Sequence, residues 1–384
     1  SALDGQLSAE AAGDIRLLER LADGESAPSS NLVLSTVHAG GDAWLQAREG
    51  SLLALEETYA IEGLHVIGDA VTLIAGYAAV STAGFRDIGK GQFGDTALQI
   101  DADTLTLQSY TGGRPSIDVF DVNDLSLAAN GLQVQNSALI TVTAQGDLLL
   151  DAAVALQQDD LGALTLSALE GDLVLRDDLT FGQGQMTLLA GRDLRLEAGA
   201  TLVNVGGTLD ITAGRDWIQE GGLVSTAGQP SNNPGGPLTV SVGRDAQLAA
   251  LDAGLGTLDL SVAGDLSVLD AIDTHLAAQA ITLTVQGQTG RLGHAFSALR
   301  LRADQLAATL GGDAALQAGQ TLQVTTWTQG SAEAPADAVL SVTGDLTLAQ
   351  VGVASAGRVR FDSTGTLRLS DDLSAGDGLV SLAA

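Results

Sequence analysis

The sequence predicts an all-β fold, a parallel β-helix or β-solenoid, and three observations carry that prediction. A Gly-Asp or Gly-Arg-Asp step recurs along the whole chain, from Gly13-Asp14 to Gly344-Asp345. Between the steps, stretches such as Leu194-Arg195-Leu196 and Leu346-Thr347-Leu348 alternate apolar and polar residues, the two-residue period of a half-buried strand. The acidic residues are 36 Asp against 11 Glu. Asp belongs to turns, where its short side chain bonds nearby backbone N–H groups, whereas helical surfaces favour Glu.

The elements follow in order. The repeat is marked at Asp14, Asp42, Asp69, Asp95, Asp124, Asp147, Asp172, Asp193, Asp216, Asp245 and Asp265, in steps of 20 to 29 residues, with Asn123-Asp124 standing where a Gly-Asp is missing. The 48-residue step to Asp313 holds two repeats, one of them degenerate. Glycine breaks at Ala190-Gly191, Gly206-Gly207 and Asn130-Gly131 are expected to supply positive φ at tight corners. Ser8–Ala22 and Gln46–Ala60 admit amphipathic helices, so irregular or partly helical decoration is allowed within residues 1–60. Elsewhere a Gly about every eight residues would cost about 1 kcal/mol each inside a helix, and strands win.

One such repeat cannot bury its own apolar face, but stacked repeats make a continuous core. Dividing 384 residues by about 25 gives about 15 turns in a single continuous solenoid region, 1–384. Leu148, Leu173, Leu194, Leu209, Leu266 and Leu346 are expected to point inward. Both ends of the chain stand in mid-pattern, without a polar cap, which suggests an uncapped segment of a longer polypeptide open to end-to-end continuation or filament assembly.

Composition excludes several classes. The 45% apolar content is too high for disorder, and Gly has no three-residue period, so collagen is out. No run of about 18 apolar residues exists to span a membrane as a helix. A net charge of −30 argues against nucleic acid and anionic membranes. It also opposes lateral self-association in the absence of divalent cations. With no Cys there is no disulfide, thiol nucleophile or thiolate metal site.

The phrases Ala190-Gly191-Arg192-Asp193-Leu194-Arg195-Leu196-Glu197-Ala198-Gly199-Ala200 and Gly206-Gly207-Thr208-Leu209-Asp210-Ile211-Thr212-Ala213-Gly214-Arg215-Asp216 resemble the haemagglutinin repeats of the filamentous haemagglutinin family. These are the shafts of two-partner-secretion adhesins and contact-dependent inhibition proteins. The resemblance is best over Gly146–Asp265. It implies a right-handed parallel β-helix, secretion across the outer membrane with the help of an outer-membrane partner, and a role at the cell surface in adhesion or toxin presentation. A receptor or glycan on a host or neighbouring cell is the partner such a shaft could meet. The family's Asn-Pro-Asn-Gly-type secretion motif is represented only by Asn233-Pro234-Gly235.

Candidate chemistry is sparse. His38, His65, His275 and His294 form no His-Glu-x-x-His or His-x-His pattern, and no Gly-x-Ser-x-Gly elbow exists. Scattered surface or corner histidines are expected. Parallel β-helices also host polysaccharide hydrolases and lyases, so Asp159-Asp160, Asp177-Asp178 and Asp371-Asp372 are the alternative's candidate carboxylates, with Arg176 and Phe181 nearby. Adjacent strand residues point to opposite faces, which makes each pair a poor dyad. The reading is therefore of no enzyme, no cofactor and no metal site, with at most loose surface binding of divalent cations such as calcium. Stacked corner Asp residues would repel, and Arg192, Arg215 and Arg244 are placed to relieve that repulsion. A flat Thr surface for ice or crystals ranks last, because Thr-x-Thr is sporadic, as at Thr104-Leu105-Thr106, Thr141-Val142-Thr143 and Thr282-Leu283-Thr284.

Loops that leave the coil are where repeat proteins place recognition. The expected excursions are 109–118, 226–237 and 326–337, with Gly84 to Asp95 carrying the sole Lys, Lys90. The candidate recognition residues are Gln229, Asn232, Asn233 and Trp327.

Overall fold

A computed structural model describes residues 6–19, 31–48, 50–55, 63–76, 86–89, 97–110, 115–134, 138–156, 162–227, 235–269, 272–292, 295–296, 298–330, 336–353, 357–371, 373–376 and 378–384. The described residues form no α-helix, and the fold is a parallel β-solenoid of about 13 turns. The count falls below 15 because several coils run longer than 25 residues, with offsets of 28 at Asp14/Asp42 and 29 at Asp216/Asp245. Successive coils are offset by 20 residues at Asp245/Asp265 but by 34 at His65/Gln99. The segments that admitted helices instead hold strands Gln6–Ala11, Ile15–Glu19, Ala43–Ala47 and Leu52–Ala54.

The chain divides into two compact units, Ser1–Gly191 and Arg192–Ala384. In the first unit, a first face stacks strands such as Ser116–Asp121, Leu139–Ala144, Ala163–Ala168 and Gln185–Ala190, all parallel. A second face stacks Ile15–Glu19, Ala43–Ala47, Ala70–Gly76, Thr104–Tyr110 and Leu125–Val134. From there the second-face strands shorten to Leu148–Leu150 and Leu173–Leu175, and a third face begins with Val154–Leu156 and Leu179–Phe181. Coils thus pass from two long strands to three short ones.

The second unit makes the reverse change. Its early coils carry three strands, as in Thr208–Ala213, Trp217–Gln219 and Val224–Ser225. Thr289 bridges Leu266 to Ala314, and later coils carry two, such as Leu322–Gln329 with Ala338–Val342. A two-stranded antiparallel hairpin, Arg291–Leu292 with Ala295–Phe296, interrupts the parallel pattern at that transition.

Inward positions are filled by stacked aliphatic side chains. Leu148, Leu173, Leu194, Leu209, Leu266 and Leu346 are all buried, as their place in the alternation predicts. Large side chains sit over small ones. Trp217 lies in register between Leu194 and Ala246, and Trp327 lies between Ala308 and Val351. In a core packed to crystalline density, an Ala neighbour is what makes room for an indole.

Candidate functional site

The Gly-Asp repeat has a specific structural job. The Oδ1 atom of a corner Asp accepts a hydrogen bond from the backbone N–H of the equivalent residue one coil later. In the first unit Asp14 accepts from Asp42 (3.1 Å), Asp124 from Asp147 (2.7 Å) and Asp147 from Asp172 (2.7 Å). In the second unit Asp193 serves Asp216, Asp216 serves Asp245, Asp245 serves Asp265, and Asp265 serves Gln288. Gln288 is the degenerate repeat. Asp313 and Asp337 continue the pattern to Asp337 and Arg358. The Gly344-Asp345 step belongs to another edge: it precedes a first-face strand, and Asp345 accepts from Thr366.

Where glycine stands directly before the later residue of a rung, as at Gly146, Gly264 and Gly287, it is needed for space more than for φ. A Cβ on Gly146 would lie 2.0 Å from Asp124 Oδ1, on Gly264 2.2 Å from Asp245 Oδ1, and on Gly287 2.2 Å from Asp265 Oδ1. The expectation of positive φ holds at Gly206 (72°) but not at Gly131 or Gly191. Those two are fixed by close approach to the Ala128 and Leu169 carbonyls, 2.4 and 2.0 Å from an added Cβ.

The stacked carboxylates are neutralised where Arg precedes Asp. Arg215 donates to both oxygens of Asp193 of the preceding coil, Nε to Oδ1 at 2.6 Å and Nη2 to Oδ2 at 2.5 Å. Arg244 grips Asp216 in the same two-pronged way. The Arg215 hydrogen bond, helped by the Asp216 N–H and opposed by desolvation, holds the Asp193 carboxyl below its ordinary pKa. Arg192 lies in the same motif and also has interaction partners.

Two histidines are buried structural pins rather than surface groups. His65 accepts the Gln99 N–H at Nδ1 (3.1 Å) and faces the Leu55 carbonyl with Nε2 (2.9 Å). His275 repeats the arrangement, with the Arg300 N–H at Nδ1 (2.9 Å) and the Leu269 carbonyl at Nε2 (2.9 Å). Both patterns require the neutral ring with its proton on Nε2. The equivalence is hidden in sequence because the paired carbonyl lies 10 residues before His65 but 6 before His275. His38 is exposed on its strand, and His294 lies outside the described residues.

Asp177 and Asp178 occupy an exposed corner, where the Asp178 N–H donates to Asp177 Oδ1 (2.8 Å). Arg176 is turned away to Asp151 of the preceding coil (2.5 Å), and Phe181 is core. Asp371 is exposed, while Asp159, Asp160 and Asp372 lie outside the described residues. Gln229, Asn232, Asn233 and Lys90 do so as well. The placement of Trp327 in a recognition loop is corrected. It lies within strand Leu322–Gln329, fully buried, with its ring edge-to-face on Phe361 at 5.2 Å between centroids. No partner can reach it there.

Sequence reading missed two surface features that only register assembles. On the first face of the second unit, Thr212, Ser241, Ser261, Thr284, Thr309 and Thr328 stand in one outward column, although only Thr284 and Thr328 belong to a Thr-x-Thr motif. On the third face, a groove of about 510 Å³ is lined by Asp273, Thr274, Arg300, Arg302, Gln317 and Gln320. Arg300 Nη1 donates to the Ile272 carbonyl (2.6 Å), and Arg302 reaches Asp252 only at 3.5 Å. Among the described residues no group of three or more His, Asp and Glu side chains is arranged to hold a metal ion. Among the described residues no helix is long and apolar enough to cross a membrane.

No protein-family model, curated protein or solved structure matches the chain.

Proposed function

We propose that this chain is part of the shaft of a secreted bacterial surface protein of the filamentous haemagglutinin type, serving to extend, present or adhere rather than to catalyse. The carrying observation is the corner ladder. In both units a corner carboxylate caps the next coil's N–H, as at Asp124/Asp147 and Asp245/Asp265, and Gly146, Gly264 and Gly287 are bare where that oxygen lies; at Asp69 the Gly41 carbonyl takes the carboxylate's place. The most regular feature of the sequence is thus committed to stacking. The resemblance of the repeats supplies the cellular setting, with an outer-membrane partner for export.

The test is localisation of the protein on intact cells that make it, by antibody labelling with and without external protease, alongside incubation of the purified chain with a polysaccharide panel. The shaft reading expects protease-sensitive surface label and no release of reducing or unsaturated sugar ends. Label confined to the cell interior overturns it, and release of sugar ends moves the assignment to a carbohydrate-acting β-helix.

A further inference from the structure

We propose that the groove over strand Leu299–Arg302 binds a saccharide that carries a single carboxylate. Cations are scarce in this chain, 17 Lys and Arg against 47 Asp and Glu, yet two guanidiniums share this groove. Arg300 and Arg302 are two residues apart on one strand, so their side chains leave the same face about 7 Å apart along it. One Arg300 donor is committed to the Ile272 carbonyl, which anchors the side chain while its other donors stay open. Arg302 is 59% exposed and only loosely held by Asp252. Such planar donor forks match a carboxylate better than any other side chain does.

The rest of the lining argues for a sugar. Gln317 is the register neighbour of Arg300 on the next coil and is exposed. Gln320 is fixed through its Nε2 to the Ala303 carbonyl (3.2 Å), and Thr274 and the exposed Asp273 complete the wall. Amides, a hydroxyl and a carboxylate are partners for sugar hydroxyls. The one large apolar lining residue, Leu301, is buried in the core and offers no pocket for a peptide side chain. Asp273 and the flanking Asp252 repel a second negative charge, which limits the ligand to one. The backbone of the floor is held from beneath, where the Arg300 N–H donates to Nδ1 of the buried His275 ring (2.9 Å).

This inference goes beyond the shaft reading, which assigns no ligand to this groove; loss of one leaves the other standing. The experiment is saturation-transfer NMR and titration of the full 384-residue chain with 3′-sialyllactose, using lactose as the neutral control and trigalacturonate and triglutamate as polyanion and peptide controls. Transfer to the sialyl ring is expected, with a Kd on the order of 1 mM in the absence of an aromatic platform. Arg302→Gln and Gln317→Glu should each weaken binding about tenfold or more, with unchanged thermal unfolding. Absence of transfer at about 10 mM ligand, equal transfer to lactose, tighter binding of trigalacturonate or triglutamate, or variants that bind like the parent would each overturn the proposal.

Discussion

Arg215 holds the Asp193 carboxylate in a two-pronged grip across the gap between successive coils, with Nε and Nη2 each on a separate oxygen. The same Asp193 Oδ1 also receives the Asp216 N–H. Because the folded-state pKa of Asp193 is lowered, its contribution to stability is present above the unfolded carboxylate value, near 4, and is lost as pH falls below it. Arg215→Gln should therefore destabilise the second unit by about 1 kcal/mol at pH 7, since Arg215 is partly exposed. Urea unfolding at pH 7 and pH 3 checks this: the deficit should shrink at the lower pH.

Asp265 uses only one oxygen for the ladder, accepting the Gln288 N–H at 2.7 Å. Asp265→Asn keeps that acceptor and removes one of a stack of like charges, so its stability should match or slightly exceed the parent at low salt. Asp265→Ala leaves the Gln288 N–H without its partner and should cost about 1 kcal/mol. Gly264→Ala should cost more than either, because its methyl group takes the space of the Asp245 carboxylate. Ranking the three by thermal unfolding tests the ladder; equal effects of Asn and Ala at 265 would deny it.

Asp121 behaves in the opposite sense to Asp193. It is fully buried, and desolvation pushes its pKa up to about 7 despite N–H donors from Asn123 and Ala102. Between about pH 4 and 7 the folded state binds more protons than the unfolded state, so this group's contribution to stability declines as pH rises through that window. Relative to the parent, Asp121→Asn should gain stability from pH 4 to pH 7, by no more than about 4 kcal/mol. Chemical denaturation at both pH values measures the difference directly.

Trp327 and Trp217 are both fully buried. Trp327→Ala should cost about 3–5 kcal/mol through the cavity it leaves against Phe361. Acrylamide should quench Trp44, which stacks on the Arg16 guanidinium at 4.5 Å, far better than either buried indole. Strong quenching of Trp327 in a Trp44→Phe, Trp217→Phe background would contradict its place in the core.

The fold was legible because stacking repeats a local signal about once per coil. Corner Asp residues and inward Leu positions can be read without knowing which coil lies above. Trp327 was not legible because Thr325 is an extra residue: the pairing slips between Leu306 and Ala307, and Thr325 Oγ1 turns to the Leu306 carbonyl. That slip breaks the two-residue alternation just before the Trp and gives the segment the look of a loop. The groove was equally hidden, since Arg300 and Gln317 become neighbours only through inter-coil register. The signal that remains in the sequence is local: Arg300 and Arg302 alternate with Leu299 and Leu301 in a chain poor in cations.

The corner ladder has a direction. In every rung the earlier residue supplies the carboxylate and the later one the N–H, as in Asp124 with Asp147 and Asp245 with Asp265. A growing stack that assembles from its N-terminal side therefore always shows a charged, solvated carboxylate at its unfinished rim. Charge on an open strand edge is a deterrent to stray pairing with other chains. The same atom that will fasten the next coil thus guards the rim until that coil arrives, and assembly from the opposite side would lack this guard.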